Sequence, residues 1–238
     1  MIEEKVKEIR EFCIKNSDQS IVDKYSRYFK EGYDGYGIDK NTYEAQRDLW
    51  ISDWSTEMTL ESYLDLGDKL MLTGKYEEKS FAISFLESEK KNFRVSTFDR
   101  IGAWFDMGID NWATTDVLCM LVLPVFLTES IIDYGKLTEW NTAESEWQRR
   151  AVPVTLIELA RKSLEPGIAL ALIEPLMLDE SEYVRKGLGT LLRTLWKSYP
   201  SEVEEFLLKW KDTCGRIIIQ YACEKMDKEY RKLFRKTK

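Results

Sequence analysis

The sequence predicts an all-α chain built as a solenoid of stacked antiparallel helix pairs. Three observations carry this. Leu, Glu, Lys, Ala and Ile dominate long stretches, which favours helix. Twelve Gly and five Pro in 238 residues are too few for a sandwich or barrel with many tight turns. Finally, Lys79, Asp116, Arg150, Lys186 and Arg216 take similar places near expected helix starts, at spacings of 37, 34, 36 and 30 residues. A period in this range suggests stacked helical pairs.

The elements follow in order. Residues 2–15 place apolar side chains at 2, 6, 9, 12 and 13, a helical spacing. Ser17 or Asp18 can cap a second helix reaching about residue 30. Residues 31–38 (EGYDGYGI) hold three glycines within six positions and form the clearest loop. Further helices are expected over about 41–54, 59–73, 76–91, 96–108, 114–128, 129–138, 146–163, 167–178, 182–198, 201–211 and 214–235. Ser145 with Gln148, and Ser201 with Glu204, suit capping boxes. Pro200 ends the helix before it, and Pro153 should kink the helix that contains it. No segment alternates convincingly enough to read as a strand. The whole is expected to be one domain, residues 1–238, with a plain helical bundle as the alternative.

Composition excludes several function classes. The chain has no histidine, which removes His-based triads, HExxH zinc sites and His general bases. No GxGxxG and no GxxxxGK[ST] occurs, so no dinucleotide or P-loop site is expected, and neither a metal nor a cofactor is. No apolar run reaches the roughly 18 residues of a membrane span, and the Met-Ile-Glu-Glu start is wrong for a signal peptide. Four cysteines (13, 119, 214 and 223) without a CxxC read as reduced thiols. A cytoplasmic, monomeric protein follows. The net charge of −7 argues against nucleic acid, yet residues 225–238 hold seven basic residues against two acidic ones. Segregated charge keeps a basic groove open.

Some residues invite chemistry. Trp112 and Asp116 lie one helical turn apart on one face, where a carboxylate beside an indole suits a cation or a developing positive charge. A core ring beside a surface acid is the alternative. Arg149 and Arg150 stand early in a helix, where positive charge opposes the macrodipole. That placement suits a phosphate partner, or else an ion pair with Glu146 or a neighbouring helix. Arg185 and Lys186 repeat the pair 36 residues on. Trp50, Trp54, Trp104 and Phe105 read as core. Tyr28, Tyr33 and Tyr36 flank the Gly-rich loop.

The segment 179–188 (DESEYVRKGL) resembles the second helix of a HEAT repeat, which implies a right-handed α-superhelix of HEAT-like pairs. Residues 25–38 (YSRYFKEGYDGYGI), 111–119 (NWATTDVLC), 146–152 (EWQRRAV) and 183–189 (YVRKGLG) followed by 191–193 (LLR) resemble blocks of the AlkD-type bacterial DNA alkylation repair glycosylases, in order and at compatible spacing. The resemblance implies a DNA glycosylase that hydrolyses the N-glycosidic bond of cationic N3- or N7-alkylpurines in duplex DNA without base flipping. Asp116 would then be the catalytic carboxylate and Trp112 would lie against the deoxyribose. Arg150 would hold a backbone phosphate, and Tyr28 would sit near the DNA groove. Arg149, Arg185, Lys186 and Arg216 join the expected DNA-binding set. One position departs from the pattern: Thr190 stands where the family places a second tryptophan. A DNA-binding protein without excision, or a protein-interaction scaffold, are the other readings.

Overall fold

The computed structural model describes residues 1–30, 32–162 and 164–237. Glu31, Ser163 and Lys238, which fall in the Gly-rich loop, at the end of the 146–163 helix and in the basic tail, lie outside the described residues. The described chain is helical throughout and has no strand. The helices are α1 (Ile2–Lys15), α2 (Gln19–Ser26), α3 (Lys40–Trp54), α4 (Leu60–Thr73), α5 (Tyr76–Ser88), α6 (Val95–Met107), α7 (Trp112–Leu121) and α8 (Leu123–Thr128). They continue with α9 (Tyr134–Thr138), α10 (Glu146–Ala160), α11 (Pro166–Ile173), α12 (Glu182–Trp196), α13 (Pro200–Trp210) and α14 (Arg216–Ala222). Among the described residues no helix is long and apolar enough to cross a membrane.

The chain packs as two compact units, Met1–Phe126 and Leu127–Lys238. In the first, α5 packs against α3 and α7, while α4 packs against α1 and α6, and α4 and α5 pair across the layers. In the second, α10, α12 and α14 stack in one layer and α11 meets α13 in another. The pairs α10 with α11 and α12 with α13 link the two layers. This alternation is the helical-repeat pattern.

The first core is aromatic. Trp50 meets Phe12, Trp54 and Phe81 at centroid distances of 5.3, 5.3 and 5.1 Å. Trp104 is fully buried and donates its indole N–H to Asp68 at 2.7 Å. The second core is aliphatic, with Val152, Leu156, Leu188, Leu191, Leu195 and Ile218 buried between the stacked helices. Each such side chain contributes about 1.5–3 kcal/mol by leaving water.

Several expected boundaries move, each for a local reason. The 114–128 helix is two, α7 and α8, divided at Val122. The 129–138 helix shortens to α9: Ser130 takes a positive φ of 54°, and Asp133 caps the helix by accepting from Lys136 N–H. Pro200 does not precede a Ser201 cap but occupies the first turn of α13 behind Tyr199, where its fixed φ and missing N–H cost nothing. The 214–235 helix breaks into α14 and a 3-10 turn over Tyr230–Phe234. Ser145, in contrast, caps α10 as expected, and α10 runs on through Pro153.

Candidate active site and phosphate-binding residues

The first unit builds its site from a loop upward. Asp18 caps α2 through Ser20 N–H and donates its own N–H to the Tyr36 carbonyl. Gly37 takes φ +75°, and a Cβ there would lie 2.3 Å from the Asp18 carbonyl oxygen, so only glycine closes this turn. The loop then lies over the first turn of α5. There the buried Glu77 carboxylate accepts from Tyr36 N–H (2.8 Å), Gly37 N–H (2.8 Å), Ile38 N–H (3.4 Å) and the Tyr33 hydroxyl (3.1 Å). Its neighbour Glu78 accepts from the Tyr36 hydroxyl (2.6 Å) and Arg10 Nε (3.1 Å). Two carboxylates at a helix N-terminus also complement the macrodipole. Burial first, then the nearby carboxylates, push the Tyr33 and Tyr36 phenols far up, so both stay protonated donors.

Lys79, at the next position, holds the approach to α7. Its buried ammonium donates to the Gly108 carbonyl (2.6 Å) and reaches Asp110 at 3.4 Å. A Cβ on Gly108 would lie 1.9 Å from the Met71 carbonyl oxygen, so this passage too requires glycine. Asn111 then caps α7 by accepting from Thr114 N–H at 2.9 Å.

Trp112 is the first residue of α7. Its ring stacks on Phe29 at 5.3 Å and 25°, and its indole N–H donates to the Tyr28 carbonyl at 3.2 Å. Phe29 in turn packs on Tyr33 at 4.8 Å, and Tyr33 on Tyr76 at 5.6 Å. These rings line a cavity of about 530 Å³. Asp116, one turn along, is half-buried. Tyr76 has its phenol raised chiefly by burial, with the Asp116 charge adding to it. Trp112 is thus neither free nor a simple core residue: one face is held and its tilt is fixed. The Tyr28 ring itself is exposed, with Arg27 5.3 Å from its centroid.

In the second unit the expected basic residues gather at the start of α10 and α12. Arg149 makes an ion pair with Asp179 (2.6 Å) and donates to the Ala143 and Glu144 carbonyls (2.8 Å each). Of the two readings open for Arg149, the geometry supplies the ion pair, with the turn before α12 rather than with Glu146. Arg150 is buried and donates to the Tyr183 carbonyl at 2.6 Å. Arg185 donates to the Asp179 carbonyl at 2.5 Å. Lys186 pairs with Glu182 at 2.6 Å and lies 5.6 Å from the Tyr183 ring centroid. Arg216 is exposed. Thr190 turns its hydroxyl back to the Lys186 carbonyl at 2.8 Å, a local bond typical of helical threonine.

The periodic stations are largely real. Asp116, Arg150 and Lys186 each stand five residues after their caps, Asn111, Ser145 and Ser181. Lys79 stands four after Lys75. Arg216 does not share the station: it directly follows its cap, Gly215, and Gln220 occupies the fifth place. Phe29, Glu77 and the Lys79 clamp are the site residues that sequence reasoning missed. The only available signal was the pair of glutamates opening α5, which reads equally well as macrodipole complement. Among the described residues no cluster of three or more His, Cys, Asp or Glu could hold a metal.

A model of the family described as DNA alkylation repair enzyme matches residues 9–226. The chain belongs to that family. Among solved structures, it is similar to a predicted DNA alkylation repair enzyme from Enterococcus faecalis, at 16% identity and a TM-score of 0.75, covering 90% of this chain and 98% of that one. It is also similar to AlkD2 from Streptococcus mutans, at 21% identity and a TM-score of 0.60, covering 88% and 99%. No curated protein matches it. The solved neighbours agree with the helical-repeat fold, and the family gives this chain a role in DNA repair.

Proposed function

We propose that the chain is a cytoplasmic, monomeric DNA glycosylase that hydrolyses the N-glycosidic bond of cationic N3- or N7-alkylpurines in duplex DNA. The observation that supports it is the pair on α7: Asp116 one turn from a Trp112 ring that Phe29 and the Tyr28 carbonyl fix in place. A cationic base is already a good leaving group. The enzyme then supplies modest help, a carboxylate that stabilises positive charge developing on the sugar and positions the attacking water. The indole face shields that sugar and favours positive charge beside it. In this reading Arg150, Lys186 and Arg216 contact backbone phosphates, while Arg149 and Arg185 hold the turn at Asp179 and Tyr28 meets the DNA groove.

Release of 7-methylguanine and 3-methyladenine from methylated duplex, followed by chromatography, tests the reading. Asp116→Asn is expected to slow release by about 100-fold or more with its melting temperature unchanged. No release under conditions where a control glycosylase works would overturn it. A second reading, DNA binding without excision, draws support from Thr190, whose hydroxyl faces its own helix and offers no ring to the sugar. That reading predicts duplex binding that weakens with salt and in Arg150→Ala, with no base release.

A further inference from the structure

The second unit holds a cavity that shares only Arg216 with the residues assigned above to duplex contacts. It has a volume of about 840 Å³, within the roughly 300–1,000 Å³ usual for small-molecule sites. Its walls come from two places. One is α14 with the turn before it; the other is the C-terminal segment folded back over that helix. The family match ends at residue 226, so this closing segment lies beyond it.

The segment is held from both ends. Asp227 accepts the N–H groups of Glu229 (2.8 Å) and Tyr230 (3.4 Å), and the Tyr230 hydroxyl donates to Glu204 at 2.6 Å. Phe234 is 1% exposed and anchors the middle. At the far end, Asp212 accepts Thr237 N–H at 2.6 Å, and Lys211 donates to the Thr237 hydroxyl at 2.6 Å.

The charge on the walls is one-sided. Lys211, Arg216, Arg231, Arg235 and Lys236 all line the cavity, and among its described lining residues none is acidic. Of the carboxylates nearby, Asp212 pairs with Lys211 at 2.8 Å and holds the tail, Glu229 pairs with Lys232, and Glu224 with Arg193. Among the described residues Arg216, Arg235 and Lys236 have no ion-pair partner. With Lys211 paired to Asp212, four cations (Arg216, Arg231, Arg235 and Lys236) remain around one hollow, and in a chain of net charge −7 that arrangement calls for an anion. Ile219, Cys223 and Phe234 add an apolar floor. Convergent guanidinium groups recognise phosphate by paired N–H donors, and an apolar floor suits a ring carried on that phosphate.

We propose that this cavity is a phosphate-binding pocket for a nucleotide, either free or at the end of a DNA strand. Arg216 is the one residue shared with the duplex contacts suggested above; the pocket does not rest on the glycosylase reading, and the Arg235→Gln with Lys236→Gln variant tests it without touching Arg216.

The test uses the full chain and two probes: thymidine 5′-monophosphate by calorimetry, and a 3′-labelled, 5′-phosphorylated tetrathymidylate by fluorescence anisotropy. Arg216→Ala with Arg235→Ala is expected to weaken binding at least about tenfold, with a shallower salt dependence. Arg235→Gln with Lys236→Gln, both on exposed side chains, is the second variant. It is expected to weaken binding in the same direction while thermal unfolding stays at the wild-type temperature. Binding of both probes would assign the pocket to free nucleotides, and binding of the tetranucleotide alone to strand ends. The proposal is overturned if neither probe binds, or if both double variants bind like wild type.

Discussion

The two units each fix a critical loop mainly through one charged side chain, but with opposite chemistry. In the first unit Glu77, which can only accept, collects three backbone N–H groups and a phenol from the Gly-rich loop. In the second, Arg149, which can only donate, collects the Asp179 carboxylate and two backbone carbonyls. Buried backbone polar groups need partners, and an ion with several bonding sites satisfies many of them at once. The difference lies in what each anchor leaves behind. Glu77 sets a row of rings behind Trp112, so its work ends at the candidate catalytic helix. Arg149 spends its own fork on the turn at Asp179, so its work ends at the start of α12.

Substitutions that remove the anchors test this comparison most severely. Glu77→Ala leaves several buried donors unpaired and is expected to cost about 4 kcal/mol in urea unfolding. It should also speed hydrogen exchange at Tyr36 and Gly37. A loss below about 1 kcal/mol would mean the loop stands without it. Arg149→Ala exposes the buried Asp179 charge and is expected to cost about 3 kcal/mol. Arg149→Lys should recover only part of this, because an ammonium lacks the planar fork. Equal stability of the lysine variant and wild type would show that charge alone matters.

Smaller effects sharpen the contrast. Phe29→Ala removes the ring beneath Trp112 and is expected to cost about 1 kcal/mol of stacking. Its effect on base release should exceed its effect on stability, since the tilt of Trp112 is what it holds; an unchanged rate would detach the stack from the chemistry. The least effect concerns pH. Burial pushes the Cys223 thiol up to about 11, against an ordinary value of 9.0, with Arg231 opposing and Glu204 adding. A raised folded value contributes stability fully below about pH 9 that is lost as pH climbs toward 11. Cys223→Ala is therefore expected to flatten the fall in stability between pH 8 and 10.5, measured by urea unfolding. Cys13 in the first unit is raised further by burial beside Glu78 and Glu77, so Cys13→Ala should flatten it more.

Helix content and order were legible because periodicity and caps are local properties. Ser145, Asn111 and Asp18 each bond an N–H two or three residues along, within reach of any reading of the chain. The Trp112–Asp116 pair was legible for the same reason, since one helical turn separates them. What stayed hidden was set by distant partners. Glu77 meets residues about 40 positions earlier in the chain, and Lys79 meets Gly108, 29 positions on. A basic residue early in a helix looks the same in sequence whether it faces a phosphate or a carbonyl. Arg216 stands one residue after its cap, Gly215, about one turn short of the shared station, although the helix starts close to where it was expected.

The fifth position after the cap holds an aspartate in α7, an arginine in α10 and a lysine in α12, and the helices keep their starts regardless. The cap settles the geometry and leaves the occupant open. The cap alone therefore admits an acid or a base at this position, and what holds a particular occupant is its contact with the next helix, as Arg150 with the Tyr183 carbonyl.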